Sequence, residues 1–445
     1  MIQCKFKSIV LLIAASLFLS TSAAARTIDL QVNLGTPVME AGKNQKTFLK
    51  IGLKGFDLPE ESDRAPVNLA IVLDRSGSMA GEKLSRAREA AIKAIGLLQS
   101  GDIVSVITYD SVVNVVVPAT RVSDKQSIYA SIRSIRDGGR TALFAGVSKG
   151  ASEVRKFLDN TRVNRIILLS DGLANIGPST PSELGQLGAS LGKEGISVTT
   201  IGLGLGYNED LMTQLAGMSD GHHAFVQNSA DLNRIFAAEF NTALTVVANQ
   251  FNIIIRCADS IRPIRVLGRQ AQIIGQEVHI NLNQLSSNQE KYVMLEVEVP
   301  PGVAGEKRNL ASVDVSYLDL KTRKRDSLQE TVSVNFTRKR EEVKKSVNQP
   351  VMDSAAEQVV NELSKEAVEL RDQGKLEAAK DHLKLGMDSL KGNLSSSGAA
   401  ASPRVQALEE EVRQDADELD DNRMWNKKRK SMRERQFKYD NQQKY

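Results

Sequence analysis

A chain of 445 residues, 41% hydrophobic and 25% charged, has the composition of an ordinary globular protein and the length for two to three domains. Its formal net charge of +4 is too small to imply a nucleic-acid partner. Aromatics are 4% and the only cysteines are Cys4 and Cys257, which excludes both aromatic-rich cores and a disulfide-stapled scaffold.

Residues 1–25 read as a secretory signal. Lys5 and Lys7 precede a short apolar run from Ile9 to Leu19, and Ala23-Ala24-Ala25 offers small residues for cleavage before Arg26. The run is short of the ~20 residues that a membrane span needs. The expectation is therefore an exported protein, periplasmic or extracellular, with no transmembrane segment after signal removal. Cys4 leaves with the leader, and Cys257 is expected to be a buried, inert thiol.

Residues 27–57 hold two runs that alternate apolar and polar, Ile28 to Leu34 and Thr47 to Leu53. Alternation indicates half-buried antiparallel strands, and two such strands need partners elsewhere. Residues 67–244 then alternate strand and helix, the pattern of a doubly wound, mostly parallel α/β sheet. Val67 to Leu73 reads as a strand buried on both faces, followed by Asp74-Arg75-Ser76-Gly77-Ser78 and an amphipathic helix from Glu82 to Gln99. One carboxylate and two hydroxyls thus sit on the loop leaving the carboxyl end of a central strand, the edge where ligands bind in such sheets. Oxygen donors of this kind suit a hard divalent cation, Mg²⁺ first, with Mn²⁺ or Ca²⁺ as alternatives. Taken alone, the pentad also fits a polar turn that caps a helix.

Asp137-Gly138-Gly139-Arg140-Thr141 opens a helix that runs to about Leu158 and offers a third hydroxyl. Val163 to Leu169 is a further apolar strand, followed by Ser170-Asp171-Gly172 with a second carboxylate. These residues resemble the von Willebrand factor type A domain and its metal-ion-dependent adhesion site. The pattern there is Asp-x-Ser-x-Ser with a distant Thr and a distant Asp, filled here by Asp74, Ser76, Ser78, Thr141 and Asp171. The resemblance runs from about residue 67 to 244 and includes Ile196 to Gly204 and Asn208 to Met212. It implies a Rossmann-like fold and one divalent metal held by those five residues. It also implies a protein ligand that gives an Asp or Glu to the metal, and no enzymatic activity. Arg75 departs from the small or apolar residue common at its position; a partner acid or solvent is its expected destination.

Residues 245–337 break into short runs separated by turn signals such as Pro300-Pro301-Gly302, the spacing of a β-sandwich. The strands in 27–57 are expected to complete that sandwich, with the α/β domain inserted into it. Bacterial exported proteins and the inter-alpha-trypsin inhibitor heavy chains are similar in pairing a type A domain with β modules. Residues 338–349 read as a charged link. Residues 353–392 form a helical hairpin around Gln373-Gly374-Lys375, similar to a single tetratricopeptide unit or a plain αα-hairpin. A Ser/Gly/Ala-rich linker occupies 393–402.

Residues 403–445 are a charged tail, helical or disordered, acidic from Glu409 to Asp421 and basic from Arg423 to Lys438. Its expected state is solvated, with residues 423–445 dispensable for folding and their basic charge available to an anionic surface. His222-His223 reads as a surface pair at a strand end, because no His-Glu-x-x-His motif is present. Gly202-x-Gly204-x-Gly206 lacks the dinucleotide spacing, and Asp415-x-Asp417 lacks the Gly of a calcium loop. Ser76 and Ser78 have no histidine partner at a recognisable spacing. The function expected is an exported, metal-dependent protein-binding or adhesion module. The alternative is an exported scaffold or assembly factor whose partner contacts lie on the C-terminal helices and tail.

Overall fold

The computed structural model describes residues 27–57, 64–397 and 402–443. The signal reading of residues 1–25 and most of the second half of the proposed linker, 398–401, lie outside the described residues.

The chain opens with β1 (Ile28–Leu34), β2 (Val38–Glu40) and β3 (Gln45–Gly55). The α/β part follows as β4 (Val67–Asp74), α1 (Glu82–Gly96), β5 (Ile103–Tyr109), β6 (Val113–Arg121), α2 (Lys125–Arg133) and α3 (Leu143–Arg155). It continues with β7 (Val163–Ser170), α4 (Pro181–Lys193), β8 (Ile196–Leu203), α5 (Glu209–Met218), β9 (His223–Val226) and α6 (Leu232–Leu244). Its sheet has the order β6-β5-β4-β7-β8-β9, with β6 antiparallel to β5 and the other pairs parallel. The chain goes from β4 to β5 on one side and later to β7 on the other. The crevice between the carboxyl ends of β4 and β7 is therefore the topological switch point.

All eight residues of β4 are buried, because both faces of the sheet are covered. Leu69, Ile71 and Leu73 pack with Ala87 and Ala91 of α1 and with Phe236 and Phe240 of α6. Ala70 and Val72 point the other way, toward Val147 and Ala151 of α3. Helix α3 lies close to the sheet through Gly146 and Gly150, where a Cβ would come within 2.7 Å of Tyr109 and of Val72. A fully buried, mostly aliphatic strand in a central position is what fixes the place of the loop that leaves it.

Seven further strands are β10 (Val246–Cys257), β11 (Arg262–Leu267), β12 (Gln272–Ile274), β13 (Glu277–Ser286), β14 (Glu290–Val299), β15 (Lys307–Asp319) and β16 (Lys324–Thr337). They form two sheets, β1-β3-β14-β11 and β12-β13-β10-β15-β16-β2. The N-terminal strands are integral to both: β3 pairs along β14 from Gln45↔Val299 to Lys54↔Glu290, and β2 adds in parallel to β16. Between the sheets lies an aliphatic core that includes Leu49, Ile51, Ile253, Ile255, Val293 and Leu295. Cys257 is buried at its edge, and burial pushes its thiol up to about 11. The sandwich and the α/β part meet through buried polar bonds, Arg165 to Gln284 at 2.6 Å and Lys291 to Asp220 at 2.8 Å.

Five helices end the chain: α7 (Arg340–Ser346), α8 (Gln349–Asp372), α9 (Leu376–Ser397), α10 (Pro403–Glu418) and α11 (Trp425–Asn441). The link at 338–349 thus contains a short helix, and α9 runs on into the stretch read as linker. The larger departure is the tail. Helix α11 is not a solvated arm: Lys430, Met432, Gln436 and Phe437 are buried between α8 and the α5–β9 edge of the α/β sheet. Its bases are met by Glu209, Asp210 and Asp372 from distant segments and by Glu411, Asp415 and Glu418 of α10, so the basic run is an internal counter-surface. The histidine pair is also not a surface feature. His223 is 0% exposed, held by Thr200 Oγ1 at 2.9 Å and set edge-on to Phe437, while His222 bonds Glu239 at 3.0 Å. The helix that covers them comes from more than 200 residues further along the chain.

Candidate metal centre

The loop after β4 turns at once into a short 3-10 turn, Gly77–Met79, because the Asp74 carboxylate reaches forward to accept from the Ser76 amide at 2.8 Å. Its other oxygen accepts from Ser170 Oγ at 2.7 Å. Asp74 is 0% exposed. Ser76 Oγ and Ser78 Oγ lie 3.1 Å apart, and Ser78 Oγ donates to Asp171 Oδ1 at 2.6 Å. Thr141 is buried on the neighbouring loop. Its amide donates to Asn175 Oδ1 at 2.9 Å, and the Asn175 amide returns a bond to the Thr141 carbonyl at 3.1 Å. The hydroxyls of Ser78 and Thr141 both stand within 3.4 Å of the point where a Cβ on Gly172 would sit. Gly172 therefore keeps open the space on which those two hydroxyls face.

The structure thus brings Asp74, Ser76, Ser78, Thr141 and Asp171 to one edge of the sheet. The loops are tied to each other through backbone bonds, Gly138 N to Arg75 O at 2.8 Å and Gly77 N to Gly139 O at 3.1 Å. Burial holds the Asp74 carboxyl above its ordinary range; the hydrogen bonds from Ser76 and Ser170 oppose that rise, and the charge of Asp171 adds to it. The same surroundings, burial first and the Asp74 charge second, push the Tyr109 phenol well up. The centre is electrostatically short of positive charge. The nearest cation is Lys83, whose ammonium pairs with Asp171 Oδ2 and reaches the Ser78 carbonyl at 3.3 Å.

These residues fit a divalent cation. The donors are all oxygens, the two carboxylates repel each other, and the chain itself brings an ammonium to Asp171. Asp74, Ser76, Ser78, Thr141 and Asp171 are the groups that would hold the ion. Among the described residues, no group of three or more His, Cys, Asp and Glu is gathered as a metal site; the donor set here is hydroxyl-rich and low in charge, which suits an ion that keeps waters and exchanges them.

Sequence reasoning did not assign Ser170, Asn175 or Lys83 to the centre. Ser170 immediately precedes Asp171, and its position at the end of a buried strand was the available signal. Lys83 carried no signal, since it reads as one more charged residue on an amphipathic helix. Within the chain, Arg75 pairs with Asp110 at 2.8 Å while its side chain stays 23% exposed, because β5 lies beside β4 and brings Asp110, the residue that follows it, next to the pentad.

The von Willebrand factor type A domain model matches residues 68–238. The protein sll0103 of Synechocystis sp. is 25% identical over 305 residues, covering 66% of this chain and 71% of that protein. Human inter-alpha-trypsin inhibitor heavy chain H3 is 31% identical over 138 residues, 29% of this chain and 15% of that one; the chain therefore matches only a small part of that relative's length. Among solved structures, the von Willebrand factor type A protein from Catenulispora acidiphila aligns with a TM-score of 0.67 at 16% identity, over 87% of this chain and 90% of that one. The agreement extends beyond the α/β part to the mixed architecture as a whole. Over residues 68–238 this chain carries a von Willebrand factor type A domain.

Proposed function

We propose that the chain is an exported protein-binding module whose centre at Asp74, Ser76, Ser78, Thr141 and Asp171 holds Mg²⁺ and takes an acidic side chain of a partner protein. One observation carries the reading. A desolvated carboxylate and its neighbour are ringed by hydroxyls on an accessible loop edge, with too little positive charge from the chain itself. The bound ion supplies an electrophilic position that a partner carboxylate completes. The chain's own residues do the positioning. Ser76 N and Ser170 fix the two oxygens of Asp74, Ser78 orients Asp171, and Asn175 fixes the Thr141 loop. The two serine hydroxyls engage each other and Ser78 also donates to Asp171, which supports binding rather than nucleophilic chemistry. The signal reading of residues 1–25 supports export. Among the described residues, no helix is long and apolar enough to cross a membrane.

The scaffold reading has less to draw on. Arg429, Lys430 and Arg433 are engaged by Glu209 and Asp210 within the chain, so the basic segment is not a free arm for an anionic surface.

The test is capture of partners from the native extract with the wild-type chain in Mg²⁺, the wild type in EDTA, and Asp74→Ala in Mg²⁺. The expected result is one partner set that disappears in both EDTA and the variant. The same partners in all three samples would overturn the reading in favour of the scaffold alternative.

A further inference from the structure

Beside the metal loop lies a second feature that the centre does not use. A cleft of about 400 Å³ opens between the start of α1 and the segment after α2, floored by Leu84 and Ile135 and walled by Arg88, Arg133, Arg136 and Asp137. Arg88 Nη1 donates to the carbonyls of Arg133 at 3.3 Å and Ile135 at 3.1 Å. Arg136 Nη1 donates to the same two carbonyls at 2.8 and 3.1 Å. Two guanidinium groups are thus drawn onto one pair of carbonyls, side by side and like-charged. The Arg133 guanidinium lies over the Tyr129 ring, 6.0 Å from its centre. Among the described residues, none of the three arginines is in an ion pair, although Asp137 shares the wall. Like charges held together without a carboxylate repel, and that repulsion is relieved by an anion that enters between them.

The cleft is mechanically part of the metal loop. Arg75, inside the pentad, donates to the Arg136 carbonyl at 3.2 Å, and the Gly138 amide donates to the Arg75 carbonyl at 2.8 Å. From the start of α1 to Arg88 the helix rises about 9 Å, a distance that an extended peptide covers in about three residues.

We propose that this arginine cleft is a second anchoring subsite for the acidic partner segment, taking a further carboxylate a few residues from the one that reaches the metal. The proposal rests on the metal-dependent reading above and names the class of partner: an acidic segment with at least two carboxylates, rather than a single exposed acid. Planar guanidinium groups suit this task because they bind carboxylate oxygens in pairs.

The experiment uses the full chain and fluorescein-labelled Gly/Ser peptides that carry either one glutamate or two glutamates separated by two to six residues. Binding is read by anisotropy in Mg²⁺ and in EDTA, for the wild type and for Arg133→Gln/Arg136→Gln, with circular dichroism to show that the variant is folded. Arg88→Lys, which keeps the charge but loses the fork, is the second variant. In Mg²⁺ the second glutamate should tighten wild-type binding by about five- to tenfold at the best spacing. That gain should vanish in the double variant and shrink in Arg88→Lys, while the one-glutamate peptide binds all three proteins alike. No gain from the second glutamate, or a gain that survives in the double variant, overturns the proposal. If neither peptide responds to Mg²⁺, the metal reading falls, and the EDTA arm at low salt then decides the cleft by itself. Arginine-dependent binding of the two-glutamate peptide or of inorganic phosphate there supports an anion site; no such binding overturns it.

Discussion

Two clusters of acidic residues sit on neighbouring loops of the same sheet, and the chain treats them in opposite ways. At the carboxyl ends of β4 and β7, Asp74 and Asp171 are surrounded by hydroxyls, and among the described residues the only cation paired with them is Lys83, at Asp171. After β8, Glu209 and Asp210 are met by three cations from α11. Lys430 and Arg429 reach Glu209, while Arg429 at 2.6 Å and Arg433 at 2.9 Å reach Asp210. Asp372 of α8 adds a third carboxylate to Arg429 at 2.8 Å. Burial opposes the charge on Arg429, but Asp372, Asp210 and Glu209 outweigh it and hold the guanidinium above its ordinary range. Asp74 is shifted in the unfavourable direction instead. The difference is one of compensation: among the described residues, Glu209 and Asp210 are met by three cations of a distant helix, whereas Asp74 and Asp171 have Lys83 alone, at Asp171, and are otherwise met by hydroxyls.

The sharpest way to break that contrast is to remove α11. Ending the chain at Asp421 strips Glu209 of its cations, uncovers His223, and removes the buried Met432 and Phe437. Urea unfolding should show a loss of roughly 5 kcal/mol or more. An unchanged unfolding free energy would return the tail to the solvated arm that its charge run implies. A narrower cut is Lys430→Met. Lys430 and Glu209 are both nearly inaccessible, with side chains 3% and 5% exposed, so the lone variant should cost about 3–5 kcal/mol by leaving a buried carboxylate short of its partner. Adding Glu209→Gln should recover most of it. Simple additivity of the two costs in the double variant would contradict the pairing.

Acid provides a third probe of the same seam. Burial first, then the charges of Lys438 and Lys430, lower the His223 imidazole from 6.5 to about 3. Its folded-state value lies below its unfolded one, so its contribution to stability is fully present above pH 6.5 and is lost as the pH falls toward 3. The expected slope is about 1.4 kcal/mol per pH unit in that window. Trp425, the only tryptophan and the first residue of α11, reports the release by fluorescence. His223→Asn should flatten this part of the profile; a profile that stays steep in the variant would remove His223 from the account.

The smallest effect concerns Lys83. Among the described residues its ammonium is the one counter-charge paired with Asp171, so Lys83→Met should make the candidate centre more deficient in positive charge. Mg²⁺ affinity should rise by a few-fold at low salt, with little change in metal-free stability. Weaker Mg²⁺ binding in this variant would show that Lys83 supports the donor set rather than competing with the ion.

Much of the candidate site's placement was legible in the sequence, and the reason is local. A buried strand such as Val67 to Leu73 announces itself by its apolar run from Leu69 to Leu73, and the residue that ends it must emerge at the sheet edge. Asp74 and Asp171 therefore declare their place, and the Ser-x-Ser spacing adds the hydroxyls. What surrounds them was not legible, because it depends on which strands lie side by side. Arg75 meets Asp110 only because β5 flanks β4, and Lys83 meets Asp171 only because α1 begins opposite β7. The α11 seam was misread for a related reason. Glu209 and Asp210 lie more than 200 residues from the Arg429, Lys430 and Arg433 that meet them, and the stem of the buried Lys430 adds packing that a count of apolar residues does not register. The histidine pair went the same way, since the helix that buries it belongs to that seam.

The central claim is that the five oxygen-bearing residues at the β4 and β7 edge form one divalent-cation site, whose charge the described residues offset only through Lys83 at Asp171. Isothermal titration of the metal-stripped chain with Mg²⁺ tests it most directly, beside Asp74→Ala with its fold checked by circular dichroism. The account predicts a single site in the wild type, a rise in melting temperature with added Mg²⁺, and neither response in the variant. No Mg²⁺, Mn²⁺ or Ca²⁺ binding by the wild type, or equal binding by a folded Asp74→Ala, would contradict it.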